Sequence, residues 1–158
     1  HDDRIGGVVN SETKSHMASD LWRYLWCSAY AKVYLRSPTL NDFPEIILPE
    51  HKAVIDAYKN GEKIPRPDKF RVQLRKQPSH TIPAHLFHDG HQFIHYDPLQ
   101  CRCLTAREAA RIQTFPDNYF FEGSRTQQYE QIGNAVPPLL ARQLAEIVFK
   151  IMDESGEI

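Results

Sequence analysis

A length of 158 residues, with 41% hydrophobic and 25% charged residues, is enough for one globular chain with a sizeable core. The formal net charge of -1 excludes binding to nucleic acid through bulk positive charge and leaves that role to a local basic face. No apolar run approaches a membrane span and His1 opens no signal peptide; Cys27, Cys101 and Cys103 form no even disulfide framework, so reduced thiols in a cytoplasmic protein are expected.

Residues 1–10, HDDRIGGVVN, read as a polar connector. From about Glu12 the apolar residues Met17, Leu21, Tyr24, Leu25, Ala29 and Val33 recur at spacings of three and four, which predicts an amphipathic helix ending near Leu35. Ser37-Pro38 stops it, because the residue before proline is pushed out of the helical region. The stretch RSPTLNDFPEIILPEH holds three prolines and reads as loop. A short helix follows from Glu50 to Tyr58, closed by Asn60-Gly61, and then a Pro-rich linker, GEKIPRPDK. Three strands are expected next: Phe70 to Leu74, His80 to Ala84 and Gln92 to Tyr96. The last two flank Asp89-Gly90, a dipeptide that favours a tight hairpin turn.

The last third reads as helical. Thr105-Ala106-Arg107-Glu108 has the form of a capping box, opening a helix that runs to about Gln113 and stops before Phe115-Pro116. Ser124-x-x-Gln127 is a second box, opening a short helix that Gly133 is expected to terminate. Pro137-Pro138 then starts a final helix whose Leu140, Leu144, Ile147, Val148 and Ile151 form an apolar stripe. Five histidines (His80, His85, His88, His91 and His95) crowd near Cys101 and Cys103, but no four-ligand zinc spacing joins them, so no metal is expected.

Two stretches say more than this. They are CLTAREAARIQTFPDNYFF, residues 103–121, and QQYEQIGNAVPPLLARQLAEIV, residues 127–148. In this order and at this separation they closely resemble the ninth and tenth motifs of the DNA (cytosine-5) methyltransferases. Thr81-Ile82, beside a Gly-containing loop, resembles the Thr-Leu or Thr-Ile dipeptide of that family's recognition domain. The resemblance implies a fold class of α+β. Residues 1–100 would be a small β-containing target-recognition region. Residues 101–158 would be C-terminal helices that complete a larger doubly wound α/β (Rossmann-like) core. It also implies S-adenosylmethionine as cofactor, double-stranded DNA as partner, and the cytoplasm of a bacterium or phage as location.

Candidate residues follow. Asn134, Ala135 and Val136 stand on the cofactor side if the Gly133-Asn134 turn closes the pocket as in the family; read alone, the pair is also an ordinary helix stop. Thr81 is the candidate for a DNA phosphate, although a threonine on a strand needs no ligand. Arg71, Gln73 and Arg75 alternate, so one strand face would present them to base edges or, equally, form a solvated charged edge. Arg107, Glu108 and Arg111 are read as scaffold, with Arg107 and Arg111 on one helix face.

No catalytic residue is expected. Cytosine methylation needs a thiolate to add to ring carbon 6. The family's Pro-Cys-Gln and Glu-Asn-Val strings, and its Phe-x-Gly-x-Gly cofactor loop, do not occur in this sequence. The chain alone is therefore expected to be inactive, completed by a catalytic lobe in cis or as a separate subunit. The missing initiator Met favours a fragment over the small subunit of a split enzyme. A stand-alone DNA-binding module and a protein-interaction domain built on the final helix are the competing readings.

Overall fold

The computed structural model describes residues 7–88 and 90–155 and is helix-rich. Five α-helices occur in chain order: α1 (Ala18–Tyr34), α2 (Lys52–Asn60), α3 (Ala106–Ile112), α4 (Arg125–Asn134) and α5 (Pro138–Ser155). Short 3-10 turns at Leu40–Asp42, Glu45–Ile47, Ala84–Phe87 and Gly90–Gln92 punctuate the loops.

Several local signals act as their chemistry dictates. Gly61 caps α2 in the left-handed region at φ 68°, where a side chain would be strained. Thr105 and Ser124 each form a complete capping box, with Glu108 and Gln127 as the returning partners.

The face of α1 differs from the pattern in the sequence. Its buried residues are Asp20, Tyr24, Cys27, Ser28 and Ala31, whereas Met17, Leu21 and Val33 lie exposed. Asp20 and Ser28 are tolerated inside because each is satisfied: Arg23 pairs with Asp20 at 3.1 Å, and the Ser28 hydroxyl donates to the His95 carbonyl at 2.8 Å. Small and satisfied polar residues let α1 approach its neighbours, so the stripe with the larger apolar groups is not the one buried.

The expected hairpin is not formed. Among the described residues, β pairing is limited to two single bridges, Val72 with Ile94 in parallel and Ile94 with Cys103 antiparallel. Residues 92–96 thus pair with the segments around 72 and 103, not with 80–84. Pro78 and Pro83 bracket that segment, and a proline neither donates to a ladder nor leaves its predecessor free. Ala84–Phe87 winds instead into a 3-10 turn, and Gly90 opens another. Asp89, the first residue of the expected turn, lies outside the described residues.

Phe93 and Ile94 face two different cores. Ile94 joins Tyr24, Cys27, Leu40, Phe43, Val54, Phe70 and Val72 in the first. Phe93 points the other way, as alternation along an extended segment requires, and joins Ile82, Leu86, Leu104, Ala109, Ala110, Phe121, Tyr129 and Ile132 in the second. The second core holds the ends of α3 and α4 in place. By contrast, α5 contributes no buried residue.

Candidate functional site

The segment Thr81–Ala84 lies directly against α4. Ile82 and Leu86 enter the second core with Tyr129 and Ile132 from α4. The backbone contact is closer still at Gly133, where a Cβ would stand 2.4 Å from the Ala84 nitrogen and 2.4 Å from the Pro83 carbonyl carbon. Gly133 lies inside α4, which runs on to Asn134, so it does not terminate the helix as expected. Its role is the absence of a side chain where another backbone crosses. This packing brings the Thr81-Ile82 and Gly133-Asn134 motifs together, although fifty residues of sequence, roughly, separate them.

Two hydrogen bonds fix the end of α4. The Tyr129 hydroxyl donates to the Leu104 carbonyl at 2.7 Å, and Gln113 Nε2 donates to the Ile132 carbonyl at 3.1 Å. Ala135 then leaves the helix with extended backbone (φ -77°, ψ 143°). Asn134 and Val136 are exposed and Ala135 is half-buried, so the three offer one polar and one apolar side chain along an open edge, with the Ala135 amide donating to the Ile132 carbonyl at 3.4 Å. The Leu139 amide donates to Thr114 Oγ1 at 3.1 Å and ties the start of α5 to the turn after α3.

Arg107 does not share an exposed face with Arg111, as their spacing suggested, but lies inside the structure. It is 1% exposed. Its Nε donates to the Val9 carbonyl at 2.8 Å, Nη1 to the Pro116 carbonyl at 2.8 Å, and Nη2 to the Tyr119 carbonyl. Its backbone amide donates to the Asn10 carbonyl, and the Asn10 side chain pairs with both backbone groups of Phe121. Val9 and Asn10, at the end of the stretch read as a connector, are therefore clamped into the structure, with Asn10 at φ 57°, while residues 1–6 lie outside the described residues. A rigid planar guanidinium holds its N–H groups in a fixed fork, and here it serves three carbonyls from separate parts of the chain. Arg111 lies on the surface and pairs with Asp117 at 2.7 Å.

Glu108 caps α3 and receives both arms of Arg102, at 2.6 and 2.8 Å. Burial alone would raise its carboxyl, but the Arg102 guanidinium and the Thr105 amide outweigh that and hold it below the ordinary value. His95 stands 3.8 Å away, and burial lowers its basicity.

The residues expected on one DNA-reading strand face are not presented together. Gln73 is buried: its Nε2 donates to the Gln92 carbonyl at 3.0 Å and its Oε1 accepts from Ser79 at 2.8 Å. Arg71 pairs with Asp68 at 2.6 Å, and exposed Arg75 lies 5.8 Å over the Tyr96 ring. Single bridges do not sustain a pleat, so alternation does not carry through to Arg75. Thr81 is exposed beside buried Ile82. Cys27 and Cys103 are buried, and burial pushes both thiols up, away from the thiolate form. Cys101 donates to the Pro98 carbonyl at 2.9 Å. Sequence reasoning placed Arg107 in the scaffold but held no signal for the carbonyls it clamps, and it left out Tyr96, which Arg75 overlies.

Against known proteins, residues 12–150 match the family model of the C-5 cytosine-specific DNA methylases. The chain belongs to that family. The type II methyltransferase M.Bpa9945I of Bacillus paralicheniformis is 55% identical over 86 residues, covering 54% of this chain and 19% of that protein. M.AgeI of Thalassovita gelatinovora is 49% identical, covering 51% of this chain and 18% of its own length. The DNA (cytosine-5-)-methyltransferase M.ApeKI of Aeropyrum pernix is 43% identical, covering 49% and 16% respectively. The chain thus spans about a fifth of the length of the curated relatives it matches. No solved structure matches it. No helix among the described residues is long and apolar enough to cross a membrane.

Proposed function

We propose that this chain is the C-terminal portion of a DNA (cytosine-5) methyltransferase, which carries methyl groups from S-adenosylmethionine to cytosine C5 in double-stranded DNA. Residues 1–100 form its target-recognition region, and residues 101–158 supply helices to a doubly wound catalytic core. S-adenosylmethionine supplies the methyl group. The part of this chain is to bound the pocket along Asn134, Ala135 and Val136 and to meet DNA through Thr81, Arg71 and Arg75. Gln73, whose amide is engaged at both ends, supports the backbone behind them. Arg107, Glu108, Arg111 and Gly133 hold these parts in register.

The observation that carries this reading is the bare apolar face of α5. Leu140, Leu144, Ile147, Val148 and Ile151 are between 46% and 60% exposed, although they align on one side of an eighteen-residue helix. A stripe of that size in water is a surface built to be covered. A methyltransferase core, lying in cis or as a separate subunit, covers it and brings the Pro-Cys-Gln thiolate that this sequence lacks. The raised thiols of Cys27 and Cys103 support assigning the nucleophile elsewhere. The setting is the cytoplasm of a prokaryote or phage, in a restriction-modification system.

The test is methyl transfer from labelled S-adenosylmethionine to mixed-sequence DNA. It uses the chain alone and a hybrid in which its matching segment replaces that of M.Bpa9945I. The expected result is no transfer by the chain and transfer to cytosine by the hybrid. Transfer by the chain alone would overturn the assignment of the nucleophile to another lobe. A folded but inactive hybrid would count against the whole reading.

A further inference from the structure

A cavity of about 580 Å³ lies between the C-terminal end of α1, the turn at 74–77 and the residues 96–98. Nothing in the family motifs accounts for it. Its apolar wall includes Leu35, Leu74 and Tyr96; its rim carries Lys32, Arg75 and Lys76 against one carboxylate, Asp97. We propose that this groove binds an unstacked nucleobase of a DNA strand, the ring lying on Tyr96 and the adjoining phosphate between Lys32 and Lys76. The proposal rests on the reading that DNA is the partner, and it adds a site to that reading.

The chemistry of the wall selects the ligand. Tyr96 is 40% exposed, and its inner side is held by stacking on His95, with ring centroids 4.5 Å apart. Arg75 sits 5.8 Å over the ring, too close for a base to lie between them, so a base stacking on Tyr96 takes the place of the guanidinium, which turns to the phosphate. Among the described residues no acidic group pairs with Lys32, Arg75 or Lys76, in contrast to Arg71, Arg102 and Arg111. The one rim carboxylate is already engaged, as Asp97 Oδ1 accepts from the Leu99 amide at 3.1 Å. Three cations without an acidic partner ask for an anion, and Leu35, 76% exposed in a left-handed cap, with Leu74 and Tyr96 asks for a flat apolar body. A simple anion would leave the apolar wall wet, and an acidic peptide would leave the ring unstacked. A nucleotide unit satisfies both, and the volume lies within the usual range for small-molecule sites.

The experiment measures anisotropy of labelled DNA with the purified chain. The probes are a short single strand, its blunt duplex, and the same duplex with one unpaired base. The variants are Tyr96→Ala, Tyr96→Phe, Lys76→Ala and, as a distant control on α5, Arg142→Ala. The single strand and the unpaired-base duplex should bind more tightly than the blunt duplex. Tyr96→Ala should weaken binding about tenfold, the worth of one stacked base. Tyr96→Phe should retain binding, and Arg142→Ala should leave it unchanged. Lys76→Ala should lower the salt slope by about one.

Equal binding by Tyr96→Ala and wild type, or no preference for an unpaired base, overturns the proposal, as does absence of binding. The methyl-transfer hybrid separates the two readings. Transfer indifferent to Tyr96→Ala, with no base binding, removes the groove and leaves the enzyme. Base binding through Tyr96 with an inactive hybrid does the reverse.

Discussion

Replacing Gly133 by alanine tests the packing that joins Thr81–Ala84 to α4. Were this glycine only a mid-helix residue facing water, alanine would stabilise α4 by about 1 kcal/mol, the difference in helix propensity. The structure gives the opposite sign. The new Cβ would meet the Ala84 nitrogen at 2.4 Å, the Pro83 carbonyl carbon at 2.4 Å and Ala84 Cα at 2.5 Å. All three are backbone atoms, so no side chain can rotate away, and Pro83 stiffens the segment further. Overpacking of this kind costs about 1–3 kcal/mol, and contact with fixed backbone puts it near the upper end. Subtracting the propensity gain leaves a net loss of roughly 2 kcal/mol. With a urea m-value of about 2 kcal/mol/M, the unfolding midpoint should fall by about 1 M without a change in slope. Far-UV circular dichroism of wild type and Gly133→Ala over a urea series measures this. An unchanged or higher midpoint would refute the close approach and return Gly133 to a purely local role.

Other expectations follow from the same contacts. Arg107→Ala should lower stability by about 3 kcal/mol or more, since three carbonyls lose their donor at once; Arg107→Lys should recover only part of this in the same urea titration. Tyr129→Phe removes one buried hydrogen bond to Leu104 and should cost about 1 kcal/mol in thermal unfolding, with the helical spectrum unchanged. Stability should also fall with pH below about 6.5. Burial lowers both His16 and His95 from that value, so the unfolded chain takes up their protons first. The loss runs from 6.5 down to their folded values and resumes below the ordinary carboxyl value of 4.5, as Glu108 protonates and releases Arg102. Urea midpoints at several pH values check this; a flat profile from pH 7 to pH 5 would contradict the histidine assignment.

What the sequence determined by itself was local chemistry and family. Thr105, Glu108, Ser124 and Gln127 form their boxes because a cap needs only residues three apart, and Gly61 ends α2 because the turn it makes is its own. The two motifs named the family without any tertiary information, since their order and spacing are properties of the chain. Tertiary structure decided everything that depends on which residues meet. Both sides of α1 carry apolar residues, and periodicity cannot tell which one a neighbour covers; satisfied Asp20 and Ser28 went inside and Met17 and Val33 stayed out. The alternation of residues 92–96 signalled extended backbone but not its partners, and Pro78 and Pro83 left 80–84 unable to serve as one. Arg107 was legible as scaffold, but not what it holds, because the carbonyls of Val9, Pro116 and Tyr119 are brought around it only by the fold. Gly133 looked like a helix stop, because the close crossing of Pro83 and Ala84 is a non-local fact that its own neighbours in sequence do not encode.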